Sequence, residues 1–550
     1  MFALAPDSPW TRRLVGALTG LTAAAVALGV TELIAGLNRN WRSPVIDVGD
    51  RVVDNVPVWL KEFAIDQFGT NDKPVLLASI GVILAVYAMV VVTLAFTRRL
   101  AIGVVGFALF GLIGAYTAIS RRVGGSFDDA IPVVIGTGAG IGAIVLAHHL
   151  LTPLLTSGDA TDEPVDVEGR DEDETLPVES PTDPARATRR DLLITGGGLI
   201  GVFALVGAGT GAVGRAIRSR FSATESRANV VLPDAADPLA PIPDGVSVGV
   251  DGVSPFSTPN ADFYRIDTAL TVPQVPTDNY ELRVTGMVDN ELSFSFDDLL
   301  QRKIVEHDIT LTCVSNTIGG ELVGNARWLG FRLDELLEEA GVQSGADQVV
   351  GRSVDGYTCG FPLEAATDGR NAMVAFGMNG EPLPLEHGFP VRLVVPGLYG
   401  YISATKWLTE IELTTFEDFE SYWVPRGYAD RAPIKLMSRI DSIDGLGTLN
   451  VGPDGMAAIG GVAWAQTVGI SDVQVQIDDG EWMSAELGEA LNKDTWRQWA
   501  FRFEPSGTDR TRTSIRCRAV DADGVIQTDE RSEPLPDGAS GHHQIVVFVE

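Results

Sequence analysis

The chain has 550 residues, a formal net charge of −32 and three cysteines. That length exceeds one ordinary soluble core. The acidity argues against nucleic-acid binding, which needs lysine and arginine for the phosphates, and three cysteines cannot build a disulfide framework. No CxxC pair and no Cys/His zinc spacing occurs.

Five apolar runs come first, at roughly 14–37, 75–96, 100–119, 130–155 and 192–214. A bilayer is spanned by about 20 mostly apolar residues, so each run is long enough to cross. This predicts a four-helix transmembrane region over 1–155 and a fifth transmembrane helix within 188–220, with the lipid bilayer as a partner. Arg12/Arg13, Arg98/Arg99 and Arg189/Arg190 fall on one side, Arg121/Arg122 on the other. The positive-inside rule then places the N-terminus inside and the C-terminal part outside the cell. The stretch 39–73, with Trp41, Trp59, Phe63 and Phe68, is expected as an outer loop with an interfacial helix.

Residues 156–187 are acidic, proline-bearing and almost free of aromatics, the composition of a disordered linker. The sequence Thr188-Arg189-Arg190-Asp191-Leu192-Leu193 then resembles a twin-arginine export signal. The alternative is an ordinary arginine pair before a helix. As an export signal, it implies that the domain behind it folds, and receives any complex cofactor, before crossing.

Beyond residue 220 the pattern changes. Residues 229–262 carry proline and glycine without periodicity. From there to 425 strand-like runs such as 280–286 alternate with short helices. Ser295 caps one helix start and Gly341 stops another. Residues 221–425 are therefore expected to form an α+β domain. Residues 426–550 are almost all strand-like, with hairpin signals at 478–480 and 521–524. This predicts an immunoglobulin-like β sandwich, a structural or dimerisation module.

Cys313 ends an alternating run in "DITLTCVSNTIGGELVGNARW". It can be an inert core cysteine, as Cys359 and Cys517 are read. A nucleophile would need a histidine partner, for which His307 and His387 are available, and a zinc ligand would need companions. As a single thiolate to a soft metal held mainly by an organic group, it needs no companion.

"TLTCVSN", "GNARWLGFRLDELLEEAG", "MNGEPLPLEHGFPVRLVVPGLYGYISATKWLTEIEL" and "DFYRIDTALTVP" occur in one order over roughly 240–550. They resemble the sulfite oxidase family of molybdopterin-dependent oxidoreductases. The resemblance implies a molybdenum–molybdopterin cofactor, with Cys313 as the metal's thiolate ligand and Tyr357 as the active-site tyrosine beside it. It makes His387 and Arg392 phosphate-holding residues, and Arg265, Asn316, Gly400, Ser403 and Lys406 further cofactor contacts. The final sandwich matches the family's dimerisation domain, so a homodimer is expected. The physical logic agrees: an anionic pterin phosphate calls for cations, which this acidic chain keeps here as Arg392 and Lys406.

The pattern also departs from the family. Val314-Ser315-Asn316-Thr317-Ile318 holds no arginine where the family has an arginine-bearing run, and Tyr401-Ile402-Ser403 stands where it has another. A small oxyanion loses charge-assisted hydrogen bonds by this, so a sulfoxide-like substrate is as well matched as sulfite. No haem is expected. Adjacent His148 and His149 point about 100° apart on a helix, so electrons go to a separate carrier. Two other readings stand beside the enzyme. One is a cofactor-free extracytoplasmic binding module on the same fold. The other is a transporter or quinone-site membrane half, disfavoured because the runs hold almost no ionisable residues besides Glu32.

Overall fold

The structure, a computed structural model, describes residues 8–57, 72–121, 124–156, 190–505 and 511–549, together with residues 60, 63, 67 and 68. Trp59, Arg122, Arg189 and the acidic linker from 157 to 187 lie outside the described residues. The chain divides into two compact units, residues 1–221 and 222–550.

The first unit is helical. Ser8 caps α1 (Pro9–Gly36) by accepting from Trp10 N. A short amphipathic helix, α2 (Pro44–Asn55), follows, then α3 (Asp72–Thr97), α4 (Leu100–Ile119), α5 (Ile131–Thr156) and α6 (Gly197–Arg218). Five helical stretches are long and apolar enough to cross a membrane, matching the five runs read from sequence. α1 sits at the centre and packs against α3, α5 and α6. Its contact with α6 is close because both helices present glycine there: a β-carbon on Gly29 would collide with Gly207 O. α2 is tied down by Arg121, whose Nε and Nη2 donate to the two oxygens of Asp47, each at 3.1 Å, and whose Nη1 donates to Asp129 at 3.0 Å. All three side chains are largely buried, which offsets each charge with a partner.

The second unit is β-rich. One five-stranded sheet runs β2 (Leu292–Ser295), β1 (Glu281–Gly286), β10 (Leu408–Thr414), β5 (Gln348–Ser353) and β6 (Thr358–Pro362), with only β1 and β10 parallel. A second sheet runs β3 (Val305–Thr312), β4 (Val323–Arg332), β7 (Met373–Met378) and β8 (Glu381–Pro382), and β9 (Arg392–Val394) also pairs with β7. α7 (Phe296–Leu300) begins at a capping box in which Ser295 and Asp298 bond each other's backbone. α8 (Leu333–Ala340) stops at left-handed Gly341, as its sequence predicts. Trp328, Phe331, Phe361, Phe376, Phe389 and Trp407 are fully buried in the cores of this region.

The C-terminal part is a two-sheet sandwich. One sheet runs β11 (Met437–Ile440), β13 (Ala457–Trp464), β17 (Arg497–Phe503), β16 (Glu486–Leu487). The other runs β12 (Thr448–Leu449), β19 (His543–Val549), β18 (Thr511–Asp521), β14 (Ile470–Ile477), β15 (Met483–Ser484). Ile459, Phe501, Val473, Ile515 and Val547 of the two sheets share one core. Both the α+β region and the sandwich lie within the second compact unit, residues 222–550. Polar contacts join them: Trp496 N donates to Thr310 Oγ1 at 2.7 Å and its indole to Phe256 O at 2.8 Å.

Candidate active site

Strand β3 delivers Cys313. In the β3–β4 ladder Thr312 lies opposite Val323, so residues 313–322 form the connecting loop. Cys313 N donates to Leu322 O at 2.9 Å, Asn316 N to Cys313 O at 3.0 Å, and Leu322 N to Asn316 Oδ1 at 2.9 Å. Asn316 thus closes the turn that holds the cysteine. It does not line the cleft onto which the thiol opens.

That cleft is a concave, partly open pocket, the form that small-molecule and cofactor sites take. Around Cys313 its wall carries Tyr264, Tyr357, His387, Arg392, Gly400 and Lys406. Segments far apart in the chain meet here because β5, β9 and the turn before β10 converge on the end of β3. Of the residues singled out from sequence, the cleft gathers Cys313, Tyr357, His387, Arg392, Gly400 and Lys406. Two others face elsewhere. Ser403 is fully buried and donates to Leu398 O and Tyr399 O, fixing a turn. Arg265 is more than a third exposed, bonds Asp267 at 2.8 Å and is not on the wall.

Burial dominates the electrostatics of the wall. Arg392 is 5 % exposed, stacks over Trp328 and donates to His387 O at 3.1 Å and Leu393 O at 3.3 Å. Among the described residues no carboxylate pairs with it, and burial lowers its pKa to about 10. Lys406 donates to Asp267 at 3.0 Å and Glu386 O at 3.0 Å. Burial outweighs Asp267 and lowers its pKa to about 8. His387 bonds Asn260 O at 3.0 Å. Burial and then Arg392 lower its pKa to about 4, so the ring is neutral. Burial raises the Cys313 thiol, an effect that hydrogen bonds from Ser315 oppose. The Tyr357 hydroxyl donates to Tyr401 O at 2.6 Å, and burial holds its pKa well above the usual phenol range.

Several wall residues escaped the sequence reading. Ser353 Oγ and Asp355 Oδ2 are buried there without a hydrogen-bond partner among the described residues. Tyr264, Asp267 and Trp423 also stand on the wall. Asp355 had a local signal, the "VDGY" turn in which its other oxygen accepts Tyr357 N at 3.1 Å. Trp423 had none.

Orphaned buried polar groups require a partner. Here they are a carboxylate oxygen of Asp355 and the hydroxyl of Ser353, beside a single thiol and a guanidinium that meets only backbone carbonyls among the described residues. No group of three His, Cys, Asp or Glu side chains that could hold a metal occurs among the described residues. The residues therefore fit an anionic organic group with N–H donors, bearing a metal that takes one protein thiolate. This is the site of a pterin-type metal oxidoreductase.

Comparison with known proteins agrees. Residues 269–423 match the oxidoreductase molybdopterin binding domain. The chain is 30 % identical over 320 residues to mitochondrial sulfite oxidase of Rattus norvegicus, covering 50 % of this chain and 58 % of that protein. It is 31 % identical over 319 residues to the Homo sapiens protein of the same name, with the same coverage. Against the uncharacterized oxidoreductase YuiH of Bacillus subtilis it is 36 % identical over 149 residues, covering 27 % of this chain and 72 % of that one. The crystal structure of the sulfane dehydrogenase SoxCD from Paracoccus pantotrophus aligns at 22 % identity and TM-score 0.45, over 54 % of this chain and 84 % of that one. The chain belongs to the sulfite oxidase family of molybdopterin-dependent oxidoreductases. It spans little more than half the length of the sulfite oxidases it matches.

Proposed function

We propose that the chain is a membrane-embedded molybdenum–molybdopterin oxidoreductase whose catalytic unit faces the cell exterior and exchanges an oxygen atom with a small neutral substrate. The observation that carries this reading is the buried guanidinium of Arg392, without a carboxylate partner among the described residues, on the same cleft as Cys313. Cys313 would be the thiolate ligand; burial raises its thiol, and a bound metal would favour the thiolate form. Arg392, Lys406 and neutral His387 hold the phosphate, Arg392 through its remaining N–H groups. Ser353 and Asp355 take ring N–H donors. When bound, the cofactor supplies the two-electron oxygen-atom exchange. Tyr357 keeps its proton at the phenol oxygen, donates a hydrogen bond to Tyr401 O and stands on the cleft wall where it can orient substrate.

The wall also bears on substrate class. With Arg392 and Lys406 committed to the phosphate, the wall offers Tyr264, Tyr401 and Trp423 beside the carboxylate of Asp355, Asp267 being held by Lys406 and Arg265, and no further lysine or arginine among the described residues. A sulfite-like anion would be buried there uncompensated, whereas a sulfoxide-like donor carries only a dipole. Electrons pass to or from a separate carrier. The sandwich is read as an immunoglobulin-like dimerisation domain. The outward orientation rests on the twin-arginine-like segment, because arginines occur at both ends of the helices: Arg39, Arg42, Arg51, Arg121, Arg215, Arg218 and Arg220 share the end opposite Arg12 and Arg13.

The test is molybdenum analysis with pterin fluorescence after acid oxidation. About one molybdenum per chain is expected, as for a resident cofactor. None, from a host competent to make the cofactor, would overturn the reading. With the loaded protein, reduced viologen and a dialkyl sulfoxide should outpace sulfite with ferricyanide. The reverse order would assign the sulfite-like substrate.

A further inference from the structure

β3 is an outer strand of its sheet, and the C-terminal sandwich occupies its open side. Thr310 N donates to Asp494 O at 3.0 Å, Asn492 Nδ2 to Asp308 O at 3.1 Å, and Gln466 Nε2 to Thr310 O at 3.2 Å. The loop beginning at Cys313 is gripped from the same side. Arg439 Nη1 donates to Gly320 O at 2.7 Å. Arg439 is itself 7 % exposed and held by Asp441 at 2.5 Å and Ser254 at 2.9 Å. The His543 ring covers Gly319, whose φ of +76° and close contact leave no room for a β-carbon. The ring is fixed in turn by Ile440 N, which donates to its Nδ1 at 3.0 Å. Ile318, midway along the loop, packs against a cluster that includes Met437, Val462 and Trp464.

We propose that the sandwich sets the position of the Cys313 sulfur, with Arg439 as the positioning residue and His543 as its support. A guanidinium bonded to a loop carbonyl, and itself oriented by a buried carboxylate, leaves that loop one arrangement. The catalytic meaning of this rests on Cys313 being the metal ligand. The mechanical claim does not.

The three cysteines provide the test. Cys359 is buried in the catalytic region and Cys517 in the sandwich core, and neither lies on the loop. The full chain, prepared in a host that makes no pterin, is exposed to iodoacetamide and each cysteine's labelling rate is read by peptide mass spectrometry. Arg439→Met and His543→Leu should each raise the Cys313 rate roughly tenfold, the effect of one lost charge-assisted or packing contact on a local opening equilibrium. Cys359 and Cys517 should keep their rates, and Arg439→Lys should restore part of the protection. Because His543→Leu leaves the Arg439–Asp441 pair in place, it serves if Arg439→Met folds poorly. Unchanged Cys313 labelling in both variants would overturn the proposal. So would joint labelling of all three cysteines in both, which marks general unfolding. Absence of molybdenum from the wild-type chain made in a competent host would remove the cofactor reading and leave this result standing.

Discussion

Lys406 and Arg392 are cations buried on the cleft wall, Lys406 against Asp267 and Arg392 with no carboxylate among the described residues, and each gives a measurable consequence. The folded pKa of Lys406, about 8, lies below its ordinary 10.5. Between those values the unfolded chain binds more protons, so the empty protein gains stability as pH rises through that window. Anion binding runs the other way, because the charged amine is lost above about pH 8. Cofactor retained after dialysis should therefore fall between pH 7 and 9.5 in the wild type, and Lys406→Met should flatten that dependence. Arg392→Met should weaken retention at all pH values by roughly 10- to 100-fold, the loss of charge-assisted hydrogen bonds. Cys313→Ser should abolish turnover, with molybdenum content and rate measured together. Cys313, Tyr357, His387, Arg392, Gly400 and Lys406 were legible in sequence because each sits in a short local motif. Asn316 and Ser403 sit in the same motifs, yet their side chains satisfy nearby backbone, which no spacing reveals. Arg265 was misleading for a related reason: Asp267, two residues on, takes it and leaves the carboxylate on the cleft wall.

At the scale of elements, the long apolar helices were the most legible part, since runs of about 20 or more apolar residues stand out in sequence. Their packing was not legible. That α6 lies against α1 follows from glycines nearly 180 positions apart in the chain, Gly29 and Gly207. Gly29→Leu inserts a large side chain where backbone meets backbone and should cost about 1–3 kcal/mol or more. Thermal size-exclusion in detergent should show an earlier loss of the monodisperse peak for Gly29→Leu, and a smaller shift for Gly81→Leu, since a β-carbon at Gly81 meets nothing. The short helices of the second unit were readable from their ends, Ser295 and Gly341. The docking of the sandwich onto β3 was not, because its polar contacts join residues more than 150 positions apart.

For the whole molecule, acid is the expected weakness. His387 and His543 both have folded pKa values lowered to about 4 by burial. A base with a depressed pKa contributes stability above its ordinary value near 6.5, and this is lost as pH falls toward the folded value. The loss should be on the order of 2 kcal/mol for His387 alone, visible as a falling melting temperature of the full chain between pH 6.5 and 4.5. His387→Gln should lessen that slope. The division of labour within the second unit also sets what truncation does. Cutting the chain before β11 would strip β3 of the partners at Asp308 and Thr310 and leave a naked row of peptide groups beside an exposed thiol. Such an edge recruits strands from other molecules. The shortened protein should therefore assemble with copies of itself into large particles. The sandwich that steadies the sulfur is by the same contacts the guard that keeps the enzyme from polymerising.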